Sequence, residues 1–181
     1  MRMPIIAVAG CLSLMSSVSA SAGVPRQAVV PGYGAITPVE GAAERPDRKL
    51  RYRVLFNVTK AAATPDKINP TLDKVARFLN LLGADEVRPL PGDVIVIVHG
   101  PATPIVVEDD AYATMTGSAS NPNLALIGAL KRAGVSIRVC SQALVGNTID
   151  PATVEQGIEI DVSALATMAT LQLRGWALIP D

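Results

Sequence analysis

Polar and apolar residues alternate at the start of Arg51-Tyr-Arg-Val-Leu-Phe-Asn57, as in a strand with one covered face. Asn69-Pro70 then sets a capping side chain before a proline at the first helical position. Leu72, Val75, Ala76, Leu79 and Leu82 recur at helical spacing, and Gly83 supplies the stop. Residues 93–98 (Asp-Val-Ile-Val-Ile-Val) are apolar on both faces, the mark of a central strand in a parallel sheet. Asn121-Pro122 repeats the helix-start signal. Leu126, Ile127, Leu130 and Ala133 form the buried stripe, Lys131 and Arg132 complement the C-terminal dipole, and Gly134 ends the helix. Residues 135–140 (Val-Ser-Ile-Arg-Val-Cys) predict the next strand. Ile158, Ile160 and Val162 alternate as a brief one, a helix runs from about Ser163 to Leu173, and Trp176-Ala-Leu-Ile179 reads as a last strand closed by Pro180.

Strands that alternate with helices imply right-handed crossovers. The fold class expected is therefore α/β, a three-layer domain over 51–181 with a mainly parallel sheet of four or five strands and helices on both faces. Residues 100–120 are less regular, with Pro101, Pro104, the acidic run Glu108-Asp109-Asp110 and a Gly117-Ser-Ala-Ser120 turn; a short helix around 105–115 fits there. Residues 23–50, rich in proline and glycine, read as a linker or extended arm. Its Val29, Val30, Tyr33, Ile36 and Val39 are suited to lie on a partner subunit.

The first 22 residues have the form of a signal peptide: Arg2, an apolar stretch from Ile5 to Val18, and the small-x-small sites Val18-Ser19-Ala20 and Ala20-Ser21-Ala22. The stretch is short of the roughly 20 apolar residues of a spanning helix. Val8-Ala9-Gly10-Cys11 resembles a lipoprotein acylation site, but the apolar pattern continues past Cys11. Cleavage and a periplasmic or secreted protein, without stable membrane insertion, are the expectation. The sequence has 16 basic and 16 acidic residues, and loss of Arg2 leaves a net charge near −1. That balance gives no support to nucleic-acid binding. Arg48, Lys49, Arg51 and Arg53 form a local basic run, diluted by Glu44 and Asp47, that reads as a solvated strand entrance.

Cleavage at that site also removes one of the two cysteines and leaves Cys140. A lone cysteine in an exported protein is buried and inert, reactive, or paired between chains. In an open parallel sheet ligands bind at the carboxyl edge of the strands. Cys140 ends one predicted strand there and His99, the one histidine, ends another. A helix opened by Ser141-Gln142 would aim N–H groups at the sulfur, Arg138 shares its strand face, and His99 is a candidate proton carrier. Cysteine also serves as a small buried hydrophobe, and a histidine before Gly100-Pro101 also serves to cap a strand. One histidine and one retained cysteine make no zinc site of the usual kind, and Glu108-Asp109-Asp110 lacks the spacing of a calcium loop. No Gly-rich phosphate loop or Gly-x-Ser-x-Gly elbow is present, so no metal or cofactor is expected.

Ile97-Val-His-Gly-Pro-Ala102, Asn121-Pro-Asn-Leu124, Leu130-Lys-Arg-Ala-Gly-Val-Ser-Ile-Arg-Val-Cys-Ser-Gln-Ala143, and a tail from Ser163 to Ile179 resemble the DsrE/DsrF-like sulfur-relay superfamily, in an exported branch. The resemblance implies a homo-oligomer, trimer or hexamer. It also implies that Cys140 stands where relay members carry a persulfide. His99 and Arg138 are expected to assist that cysteine, Arg138, Gln142, Gly100 and Asn123 to meet the substrate, and a sulfur donor or acceptor to be the partner. Leu144-Val-Gly-Asn147 departs from the Arg-Gly that follows the cysteine in several members. An oligomeric binding or scaffold module, with Cys140 as packing, is the alternative.

Overall fold

The computed structural model describes residues 28–181; the expected signal peptide, residues 1–22, lies outside them. The five strands are β1 (Val54–Val58), β2 (Val94–Val98), β3 (Ser136–Cys140), β4 (Glu159–Asp161) and β5 (Ala177–Ile179). All pair in parallel, in the order β4-β3-β2-β1-β5. The helices are α1 (Pro70–Ala84), α2 (Asp109–Thr116), α3 (Leu124–Arg132), α4 (Ser141–Gly146) and α5 (Ala164–Leu173), with a 3-10 segment over Gly100–Val106.

Chain direction explains the layers. From β1 to β4 each crossover steps the same way across the sheet, so right-handed connections set their helices on one face. Val75 and Leu79 of α1, Leu126 and Leu130 of α3 and Leu144 of α4 share one cluster there with Phe56, Val96, Ile137 and Val139. From β4 the chain returns past β1 to β5, the opposite direction, and α5 covers the other face. A smaller cluster forms beneath it from Leu55, Ile95, Ile97, Cys140, Ala164 and Leu171. The α/β architecture expected from the alternation is present, with helices on both faces.

Helix α1 starts where the Asn69-Pro70 pair placed it. The Asn69 side chain accepts from the N–H groups of Thr71 and Leu72, a cap of about 1 kcal/mol. Helix α3 instead begins at Leu124, two residues beyond Pro122. Asn121 Oδ1 accepts from the Asn123 N–H in the turn before the helix, while its amide donates to the carbonyls of Ile105 and Val107 in the preceding segment.

The arm packs against its own domain. Val30 is fully buried, the Asn80 side chain bonds the backbone of Val30, Tyr33 and Gly34, and Gly34 (φ +57°) lies against the backbone of α1 so closely that a Cβ would clash with Arg77. At the amino edge the basic run is paired as well as solvated. Arg51 makes a forked bond to the buried Asp93 carboxylate, and Arg53 lies 4.9 Å from the centre of the Trp176 ring.

Candidate functional site at the carboxyl edge

Strand register decides what gathers at the carboxyl edge. Ile97 pairs with Arg138 and Val98 with Val139, so His99 and Cys140 stand level on neighbouring strands and on the same, α5-covered, face. His99 continues the extended backbone of β2 (φ −159°) and its N–H bonds Val58. Gly100 then turns the chain at φ +58°, a conformation open to glycine, and the segment that follows docks on Thr59 through the Ala102 N–H. Gly100 is thus a turn residue whose carbonyl accepts from the Thr103 hydroxyl.

The His99 ring is half-buried. Its Nε2 lies 2.6 Å from Asn57 Oδ1 on β1. An amide oxygen only accepts, so Nε2 carries the proton and Nδ1 is the nitrogen left to accept one. Burial holds the imidazole pKa below its ordinary value, partly offset by the nearby Asp181 carboxylate. The bond draws the ring toward β1, away from β3, and among the described residues no hydrogen bond joins His99 to Cys140.

Cys140 is the last residue of β3 and the N-cap residue of α4. It is 5% exposed, a free thiol in the smaller cluster, with Ala143, Met168 and Trp176 at the border of that cluster. Its register partner on β4 is Asp161. Arg138 shares the face, as the pleat requires, but its guanidinium is engaged elsewhere. It donates to Ser136 Oγ at 3.0 Å and lies 3.6 Å from Glu159 and 3.7 Å from Asp161. Gln142 is exposed, its amide 3.4 Å from both the Val162 carbonyl and Ser141 Oγ.

Asn123 has no exposed surface. Its carbonyl oxygen accepts from the Asn69 N–H at 2.7 Å, and its amide donates to Asn121. In this arrangement Asn123 ties the β1–α1 loop to the start of α3 and presents nothing to a ligand. The Glu108-Asp109-Asp110 run is the start of α2, where Asp109 accepts from the Asn121 N–H. Among the described residues no group of His, Cys, Asp and Glu could hold a metal ion, and no helix is long and apolar enough to cross a membrane.

Four residues at this edge have contacts that the sequence pattern does not show. Asn57 orients His99. Asp161 flanks Cys140 and accepts from the Thr167 hydroxyl at 2.6 Å. The Ser141 hydroxyl clasps the Val162 carbonyl at 2.9 Å. Asp181 accepts from the Thr59 N–H and hydroxyl, the Lys60 N–H and the Thr71 hydroxyl. Burial opposes its ionised form, but those bonds prevail and hold its carboxyl at about 2. Asn57 left a sequence trace as a polar residue on a strand face shared with Leu55, and Ser141 as the first residue of the helix after Cys140. Two clefts on the described surface, one of about 270 Å³ among Arg48, Lys49, Arg51 and Arg88 and one between Tyr33 and α3, are lined by neither Cys140 nor His99.

A family model for the DsrE/DsrF-like family matches residues 52–180. The chain belongs to the DsrE/DsrF-like family. The match covers the whole sheet and all five helices, and it includes the strand that ends at Cys140. Among solved structures the chain is similar to a protein of unknown function, MTH1491 from Methanobacterium thermoautotrophicum. The identity is 20% and the TM-score 0.51, over 72% of this chain and 99% of that one. That likeness carries the fold alone. No curated protein matches the chain.

Proposed function

We propose that this DsrE/DsrF-like protein handles sulfur, with Cys140 as a persulfide carrier and export to the periplasm or beyond as its setting. One observation carries the reading: Cys140 closes β3 at the carboxyl edge, level with His99 on the same sheet face. The Cys140 thiolate attacks the outer sulfur of a sulfane donor. Its electron pair forms the new S–S bond while the donor's S–S bond breaks, and the pair of that bond leaves with the donor thiolate. The product is the Cys140 persulfide, and no outside oxidant is needed. His99 is the imidazole at this edge, and it takes the thiol proton only once its ring leaves the Asn57 bond that draws it toward β1. Assembly into a homo-oligomer is supported by α5, which is apolar on its outer side: Leu165 is 77% and Leu173 90% exposed.

Mass spectrometry after exposure to a sulfane donor tests this, in a Cys11→Ser background that leaves one thiol. The expected result is one added sulfur on Cys140, absent from Cys140→Ser. An unmodified Cys140 at neutral pH, in protein shown by reagent labelling to have a reachable thiol, overturns it. The burial of Cys140 favours the second reading, a binding or scaffold module in which the sulfur only packs. That reading expects protection of the thiol until global unfolding.

A further inference from the structure

The carrier role needs a reachable sulfur, yet Cys140 is 5% exposed, clustered with Ala164 at the start of α5 and paired in register with Asp161 at the end of β4. The segment that joins β4 to α5 is lightly held. β4 is a three-residue edge strand paired only with β3. Of the ten residues of α5, just Ala164 and Leu171 are buried. What fastens the segment near Cys140 is the three-residue pairing of β4 with β3, the Arg138 guanidinium 3.6 Å from Glu159 and 3.7 Å from Asp161, and a short series of hydrogen bonds. Ser141 Oγ donates to the Val162 carbonyl at 2.9 Å, with the Gln142 amide 3.4 Å from the same oxygen. Ser136 Oγ donates to Glu159 at 2.9 Å, and Thr167 Oγ1 to Asp161 at 2.6 Å. Val162 itself is 75% exposed, so its carbonyl finds water once released.

We propose that residues 159–167 form a gate over Cys140, latched by Ser141 and Gln142 on the Val162 carbonyl, and that the gate opens by local rather than global unfolding. A segment with few buried apolar side chains and solvent-near hydrogen bonds opens at far lower cost than the core strands beside it. Closed, it shields a bound persulfide sulfur from water and stray thiols; open, it admits the donor. Ser141 and Gln142 are positioning residues here, acting through Val162 and not on the sulfur. The proposal rests on Cys140 being the reactive atom, but its test reads thiol access, not sulfur uptake, so the two fail separately.

The experiment is the rate at which a chromogenic aromatic disulfide labels Cys140 in the Cys11→Ser full chain. Protein concentration is fixed, urea is varied below the unfolding transition, and global stability is followed in parallel by circular dichroism. The gate expects labelling slower than in the unfolded chain and nearly independent of urea, because a local opening exposes little surface. Ser141→Ala and Gln142→Ala together then speed labelling about 3- to 10-fold, the loss of roughly one hydrogen bond, with the urea midpoint little changed. Thr167→Val does likewise from the other side of the segment. Labelling as fast as in the unfolded chain overturns the gate. So does labelling that follows global unfolding, or variants that change the rate only in step with stability.

Discussion

His99 Nε2 stands 2.6 Å from Asn57 Oδ1, a bond between the ends of adjacent strands that fixes both the tautomer and the tilt of the imidazole. Because His99 is the one histidine of the chain, its ring protons titrate unobscured in an NMR pH series. The folded value is expected below 6.5, since burial disfavours the imidazolium more than Asp181 favours it. A histidine lowered in this way binds its proton more readily unfolded. Its stability contribution is therefore full above pH 6.5 and is lost as pH falls through the folded value. Asn57→Asp puts a carboxylate in contact with the ring and should raise the value by about 1 unit or more, removing that acid loss. An unmoved titration would show that the ring is not held as described.

Asp181 gives a second pH signature, in a lower window. Its carboxyl is held at about 2 against 3.8 unperturbed, so its contribution is full above pH 3.8 and is lost as pH falls toward 2. The shift corresponds to at most about 2.5 kcal/mol, and solvent screening reduces it to about 1. Asp181→Asn should lower the urea midpoint at pH 6 and have little effect near pH 2. A uniform loss at both pH values would assign the residue a packing role instead.

The three asparagines behind the site form a chain of bonds: Asn121 to Asn123 to the Asn69 N–H, and Asn69 to the Lys60 carbonyl. Every buried side-chain polar atom among the described residues has a partner, so removing one link strands others. Asn123→Ala should cost about 2–3 kcal/mol in urea unfolding. At temperatures where the variant stays folded, its sulfur uptake should match the parent. Full stability with lost uptake would restore Asn123 to the substrate site.

The periodic elements were legible because a parallel sheet covered on both faces needs continuous apolar runs, as in residues 93–98, and its helices need the stripe seen from Leu72 to Leu82. The edge chemistry was half legible. Alternation along one strand shows that Arg138 and Cys140 share a face, but it does not show that Glu159 and Asp161 arrive beside them, which is set by the pairing of β3 with β4. The same pairing engages the guanidinium that sequence position alone offered to the sulfur. The start of α3 lies two residues beyond the one that Asn121-Pro122 predicts: Asn121 Oδ1 closes a turn on the Asn123 N–H, and its amide ties that turn to the segment before it. Helix α5 was recognisable as a helix, yet its nearly uniform apolar composition hid which side faces the sheet.

That composition leads to the last expectation. Large apolar side chains belong in an interior, but Leu165 and Leu173 of α5 face outward, with Val162 just before them. Neither leucine supports the monomer core, so Leu165→Glu with Leu173→Glu should change unfolding stability at low protein concentration by about 0.5 kcal/mol or less. If α5 lies at a contact between copies, the same pair of charges is buried on assembly and drives the protein toward smaller species. Light scattering coupled to size exclusion reads this directly, with parent and variant at matched concentrations. An oligomer of unchanged size would move the assembly surface off α5. A monomeric parent would remove the oligomer and leave the gate to be tested in a single chain.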